Sequence, residues 1–143
     1  VGHKDYRTYL AKISSLLVDD GLFLLHTIGK NTSSIGNDPW VDRYIFPNGV
    51  LPSIQQMAAT CEDLFVVEDI HNFGPDYDTT LMAWHNNFIR SWPQLEDRYD
   101  LVFKRMWEYY LLSFAGVFRA RDLQVWQWVM SPKGLASAYR APR

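Results

Sequence analysis

The chain of 143 residues is 48% hydrophobic and 15% aromatic, with 14 basic against 16 acidic side chains. That length suits one domain burying about two-thirds of its unfolded surface, and the 21% charged fraction excludes intrinsic disorder. No apolar run reaches the roughly 20 residues that span a bilayer, the single cysteine, Cys61, excludes a disulfide framework and suits a reducing compartment, and the net charge of −2 argues against general nucleic-acid binding.

Charge is unevenly spread. Residues 1–97 carry 6 basic and 13 acidic groups, whereas residues 98–143 carry 8 basic and 3 acidic. The basic C-terminal third can approach an anionic surface or simply form a solvated face. The opening Val1-Gly2-His3 suggests a piece of a longer protein.

In chain order, Tyr6, Tyr9, Leu10, Ile13, Leu16 and Leu17 recur at helical spacing and predict an amphipathic helix over residues 3–18. Asp19-Asp20-Gly21 stops it, with glycine expected in a left-handed conformation. Leu22 to Leu25 is a continuous apolar run, expected of a strand buried on both faces, and His26-Thr27-Ile28-Gly29 closes it. Residues 30–39 form a polar loop, and Trp40 to Phe46 a short aromatic element. Pro52-Ser53 opens a helix through Thr60, and Leu64 to Ile70 is a second strand. After the loop from His71 to Pro75, a helix over Tyr77 to Ser91 aligns Tyr77, Leu81, Trp84 and Phe88 on one face. Pro93 breaks it. A long helix follows over Glu96 to Ala120, its buried stripe read as Tyr99, Val102, Phe103, Met106, Tyr110, Ser113, Phe114 and Val117. Leu123 to Met130 is the third strand, ended by Pro132. This order predicts an α/β sheet with parallel elements. Three strands are few for such a sheet, which suggests that further strands belong to it.

The chemistry-bearing positions narrow the field. Neither G-x-G-x-x-G nor G-x-x-x-x-G-K occurs, and His3, His26, His71 and His85 are too scattered for a metal site. Cys61 reads as a structural thiol at a helix end. Ligands of open α/β sheets sit beyond the carboxyl ends of strands, and His26 is read at such an end beside a flexible Gly29. Its imidazole can serve as a base, donate to an anion, or be a satisfied core group. Tyr77, read as opening its helix, can offer its hydroxyl to an anion or simply begin the apolar stripe. The 22 aromatic residues can fill a core or wall an acyl channel.

A family resemblance enters on particular runs. They are Leu25 to Gly29, Asp38-Pro39-Trp40 with Tyr44 to Gly49, and above all His71-Asn72-Phe73-Gly74-Pro75-Asp76-Tyr77 through Trp84. Phe118-Arg119-Ala120-Arg121-Asp122 with Gln124, Trp126 and Gln127 continues them. Together they resemble the cyclopropane-fatty-acyl-phospholipid synthase family over nearly the whole chain. The resemblance implies a class I methyltransferase (Rossmann-like) α/β fold. Residues 1–143 would be the C-terminal portion of its catalytic domain, contributing the last three strands, the final one antiparallel and inserted between the other two.

The resemblance further implies S-adenosylmethionine-dependent methylene transfer to the cis double bond of unsaturated phospholipid acyl chains, with bicarbonate as base. The family holds that ion with a Cys, a Glu, a His, a Tyr and a backbone N–H. His26, the Ile28 N–H and Tyr77 match three of these. The Glu would fall just before Val1 in a Glu-His-Val-Gly run, the family Cys lies upstream, and Cys61 does not match it. Leu81, Trp84 and Phe88 would border the substrate channel, and the donor-binding residues would lie upstream. The implied setting is cytoplasmic and peripheral at the membrane, with phospholipid acyl chains as partner, no nucleic acid and no metal. The chain alone is expected to be inactive, and an open edge at residues 21–28 to favour self-association into a homo-oligomer. The competing readings are a non-catalytic lipid-binding module and simple methyl transfer to a lipid or small molecule.

Overall fold

The computed structural model describes residues 2–141; Val1, the supposed remnant of the Glu-His-Val-Gly run, lies outside them. The chain divides into two compact units, Val1–Asn72 with Val125–Arg143, and Phe73–Gln124.

The first unit opens with a 3-10 turn at His3–Asp5 and helix α1 (Tyr6–Ser14). α1 ends four residues before the expected Leu17-Val18 because Ser15 caps it, its N–H bonded to Ala11 and Ile13 carbonyls. Gly21 is not left-handed: its N–H closes an ordinary turn onto Val18 O at 2.9 Å, and Gly134 is the only glycine with positive φ among the described residues. Strand β1 covers Phe23–Lys30, starting two residues later and ending two residues later than the expected 21–28. Nor is it buried on both faces, since Leu24 is 53% exposed and His26 is exposed too. Helix α2 (Pro39–Tyr44) is capped by Asp38, whose side chain accepts from the N–H groups of Trp40 and Val41. Helix α3 (Ile54–Cys61) starts from a capping box, with Ser53 and Gln56 satisfying each other's backbone donors. Pro52 therefore precedes the cap instead of occupying the first helical turn. Strand β2 covers Val66–Asn72 and β3 Leu123–Ser131.

The sheet is antiparallel in the order β1-β3-β2, so the last strand lies between the other two, as the resemblance implied. Val66 faces Ser131 and Asn72 faces Trp126, with a bulge between Val67 and Asp69. The bulged Glu68 is tied down: its Oε1 accepts from Ser131 Oγ at 2.5 Å and from Leu135 N–H at 3.0 Å.

The core of this unit lies on one sheet face. Leu10 of α1, Met57 and Cys61 of α3, and Trp126, Trp128 and Met130 of β3 are all buried there, with Phe23, Leu25, Leu64 and Phe65 packed against them. Gly29 is required for space: a Cβ would collide with Cζ3, Cη2 and Cε3 of the Trp126 indole.

Cys61 is part of that core, its Sγ 3.5 Å from Met130 Sδ, and burial pushes its thiol above the ordinary 9.0. The folded chain therefore binds this proton more tightly than the unfolded chain. The stability so gained is held below pH 9 and drains away as pH rises past it. Urea midpoints measured from pH 7 upward should fall above pH 9 in the native protein and less steeply in Cys61→Ala. Parallel slopes in the two proteins would assign the alkaline loss to other groups.

In the second unit, helix α4 (Gly74–Ser91) is followed by a 3-10 turn at Trp92–Gln94 and helix α5 (Leu101–Arg119). α5 begins at Leu101, not Glu96, because Asp100 caps it by accepting from the Phe103 N–H at 2.8 Å. The two helices pack along one another. The buried face of α5 is Tyr110, Leu111, Ala115 and Phe118, whereas Tyr99 and Val102, expected inside, are exposed, Val102 to 73%.

Candidate functional site

His26 and Ile28 belong to the first unit. Strand geometry turns their side chains to the face opposite the Phe23–Leu25 core face. His26 thus lies within the strand, not at its carboxyl end. Gln127 of β3 is its neighbour, with Nε2 3.4 Å from His26 Nδ1. An amide facing Nδ1 fits the tautomer that carries its proton on Nε2, in which the ring's other nitrogen is a donor. The Lys30 N–H bonds to Pro52 O at 2.9 Å, on the side of β1 away from β3. The two-residue period of the strand turns the Ile28 N–H to that same outer edge. An imidazole donor and a directed backbone N–H, two residues apart, can together receive a small anion.

Tyr77, Leu81, Trp84 and Phe88 belong to the second unit. The helix starts at Gly74, three residues earlier than expected, so Tyr77 closes its first turn and its N–H already bonds to Phe73 O. Its ring packs edge-on against Phe118 at 5.0 Å and Trp84 at 5.8 Å. Phe118 is wholly buried, Leu81 is buried and Trp84 is 45% exposed, so the anticipated channel face is half core and half surface. Phe88 instead packs on Trp92 at 5.7 Å. Burial first, and the neighbouring Tyr77 second, push the Tyr110 hydroxyl above its ordinary range. The aromatic faces around Tyr77 can stabilise a nearby cation.

Sequence reasoning assigned no role to Gln127, Asp78 or Arg119. Arg119 grips Asp78 with two parallel bonds, Nε to Oδ2 at 2.8 Å and Nη2 to Oδ1 at 2.9 Å, which raises the guanidinium's proton affinity further. The Phe118-Arg119-Ala120-Arg121-Asp122 run was the available signal. It forms the helix end itself, with Arg121 left-handed at φ +65° and Asp122 N–H bonded to Val117 O at 3.1 Å. Gln124 Nε2 donates to Arg121 O at 2.8 Å, while the Arg121 guanidinium donates to Gln124 Oε1.

Comparison with known proteins bears on the family and the fold. The family profile described as mycolic acid cyclopropane synthetase matches residues 1–128. The chain is 52% identical over all 143 residues to the cyclopropane-fatty-acyl-phospholipid synthase of Escherichia coli strain K12, and spans 37% of that protein's length. It is 30% identical over 142 residues to a tuberculostearic acid methyltransferase of Mycobacterium tuberculosis, covering 94% of this chain and 33% of that one. The solved mycolic acid cyclopropane synthase complexed with SAH and CTAB superposes with a TM-score of 0.81 at 24% identity, over 91% of this chain and 50% of that one. The last likeness establishes the fold: a portion of the class I methyltransferase α/β fold.

Proposed function

The chain belongs to the mycolic acid cyclopropane synthetase family, and from that premise we propose that it is part of an enzyme that adds a methylene group across the cis double bond of unsaturated phospholipid acyl chains. The observation that carries this choice is 52% identity, over the full chain, to a synthase named for that product. The methyl donor is S-adenosylmethionine, consistent with the SAH-bound relative, and it supplies an electrophilic methyl group, while bicarbonate supplies the base.

In this reading His26 donates its outer N–H to the anion, held in that tautomer by Gln127. The Ile28 N–H donates along the strand edge, and the family match, not the geometry, makes the Tyr77 hydroxyl the third donor. Each bond orients a weak base toward the transferred methyl proton. With the donor bound, one alkene carbon would take its methyl group with the π electron pair as the C–S bond breaks, leaving a carbocation on the other carbon; the base would then remove one methyl proton, and the freed C–H pair would close the ring. An anion held by hydrogen bonds is a poor nucleophile toward the carbocation, so proton removal prevails over trapping. Tyr77, Trp84 and Leu81 offer an aromatic and apolar border that excludes water and favours the positive charge. The enzyme acts on the cytoplasmic face of the membrane as a peripheral protein. The contact of Gln127 Nε2 with His26 Nδ1 supports a catalytic role, since a lipid-binding module has no need of an oriented imidazole.

The test is a chimera in which residues 1–143 replace the matching segment of the Escherichia coli synthase, expressed in cells lacking that enzyme. Gas chromatography of the acyl chains should show cyclopropane products. A folded, soluble chimera that leaves unsaturated chains untouched overturns the reading. One that produces methyl-branched chains assigns simple methyl transfer instead, in line with the 30%-identical methyltransferase.

A further inference from the structure

We infer that Arg119 and Asp78 form a positioning pair for Tyr77, setting where its hydroxyl stands during methylene transfer; this rests on the role proposed above for Tyr77. The start of α4 has no side-chain cap: Phe73 occupies the cap position without a capping bond, and proline follows at the helix start. The Phe73 carbonyl gathers the first turn, accepting from Asp76 and Tyr77 N–H at 3.0 and 3.3 Å, and Thr80 Oγ1 donates back to Asp76 O at 3.1 Å. The turn also touches α5. Two successive residues make that contact in step, Tyr77 against Phe118 and Asp78 against Arg119.

The two contacts differ in what they fix. An edge-on ring pair tolerates sliding and tilting, whereas a two-bond guanidinium–carboxylate fork sets both distance and direction. The partner end is itself fixed, since Arg121 and Asp122 N–H groups close the last turn of α5 onto Phe118 and Val117 carbonyls. The fork also neutralises a carboxylate one residue from the hydroxyl meant to hold an anion. The Arg119 side chain is 65% exposed, and exposed pairs add little to stability. Its consequence is geometric.

In the chimeric synthase, Arg119→Gln and Asp78→Asn should each lower kcat about tenfold, a typical cost of small misplacement. The KM for acyl lipid should hold, the bicarbonate concentration for half-maximal rate should rise, and the thermal midpoint should stay. The double variant should be no worse than either single one, and Arg119→Lys, which keeps the charge but not the fork, should recover only part of the rate. Tyr77→Phe is the control. If it abolishes activity while the Arg119 and Asp78 variants stay within twofold, the positioning role fails and the Tyr77 role survives. If Tyr77→Phe is itself without effect, both fail. A rate loss matched by loss of folded protein, or unaccompanied by a change in bicarbonate dependence, also overturns the inference.

Discussion

Replacing Gly29 with alanine is expected to destabilise the first unit by about 2–3 kcal/mol, the cost of forcing extra atoms into a close-packed core. The added Cβ would overlap Cζ3, Cη2 and Cε3 of Trp126. That indole is 1% exposed and packs edge-on against Trp128 at 6.3 Å. It cannot swing aside without displacing Leu10, Met57 or Cys61. Backbone conformation is not the reason, because Gly29 does not have a positive φ. Urea unfolding followed by tryptophan fluorescence measures the loss. The second variant separates causes: Trp126→Phe removes the six-membered ring that the Cβ would meet, so Gly29→Ala/Trp126→Phe should lose less than the two single changes summed. Strict additivity would place the ring elsewhere.

Tyr77→Phe carries the largest expected effect on activity. It deletes one oxygen while keeping the ring that packs on Phe118 and Trp84, so the thermal midpoint of the chimeric enzyme should hardly move. Methylene transfer should fall on the order of a hundredfold, the lower range for losing a group that orients a catalytic base. The defect should lie in kcat and in bicarbonate dependence, with KM for the acyl lipid preserved. A rate within twofold of the parent would remove the hydroxyl from the chemistry and leave Tyr77 as a packing residue.

Much of this layout was legible because the signals were local. The apolar run from Leu123 to Met130 stopped by Pro132 marked β3, and Pro93 separated the two helices. The misreadings share a cause: a nearby cue was outweighed by a distant or competing one. Asp100 caps α5, yet the helical periodicity from Glu96 onward hid it and rotated the assigned face, so that Val102 was placed inside and Leu111 left out. Thr27 and Ile28 are β-branched and extend β1 past the point where the apolar run ends. Gly29 looked like a hinge because glycines usually are. Its true reason is an indole 97 positions later in the chain, and no local pattern announces that. At the candidate site, the residue types of His26 and Tyr77 stood out in the sequence, but Gln127 gains meaning only when β3 is laid beside β1.

The central position of β3 has a consequence for how the chain acquires its structure. β1 and β2 are made first, yet neither can complete the sheet until the strand between them arrives. Pairing Asn72 with Trp126 closes a loop of roughly 50 residues, whose entropy must be met before any pairing gain. The helices α4 and α5 fill that loop and need only each other's local contacts to form. During synthesis, then, the helical hairpin can collapse on the emerging chain while β1 and β2 wait with unpaired edges, and the sheet assembles last. A stalled ribosome whose exit tunnel has released Arg119 but not Leu123, reached with a C-terminal spacer, should present protease-resistant helices and protease-sensitive strands, and the strands should gain protection in one step once Ser131 has cleared the tunnel.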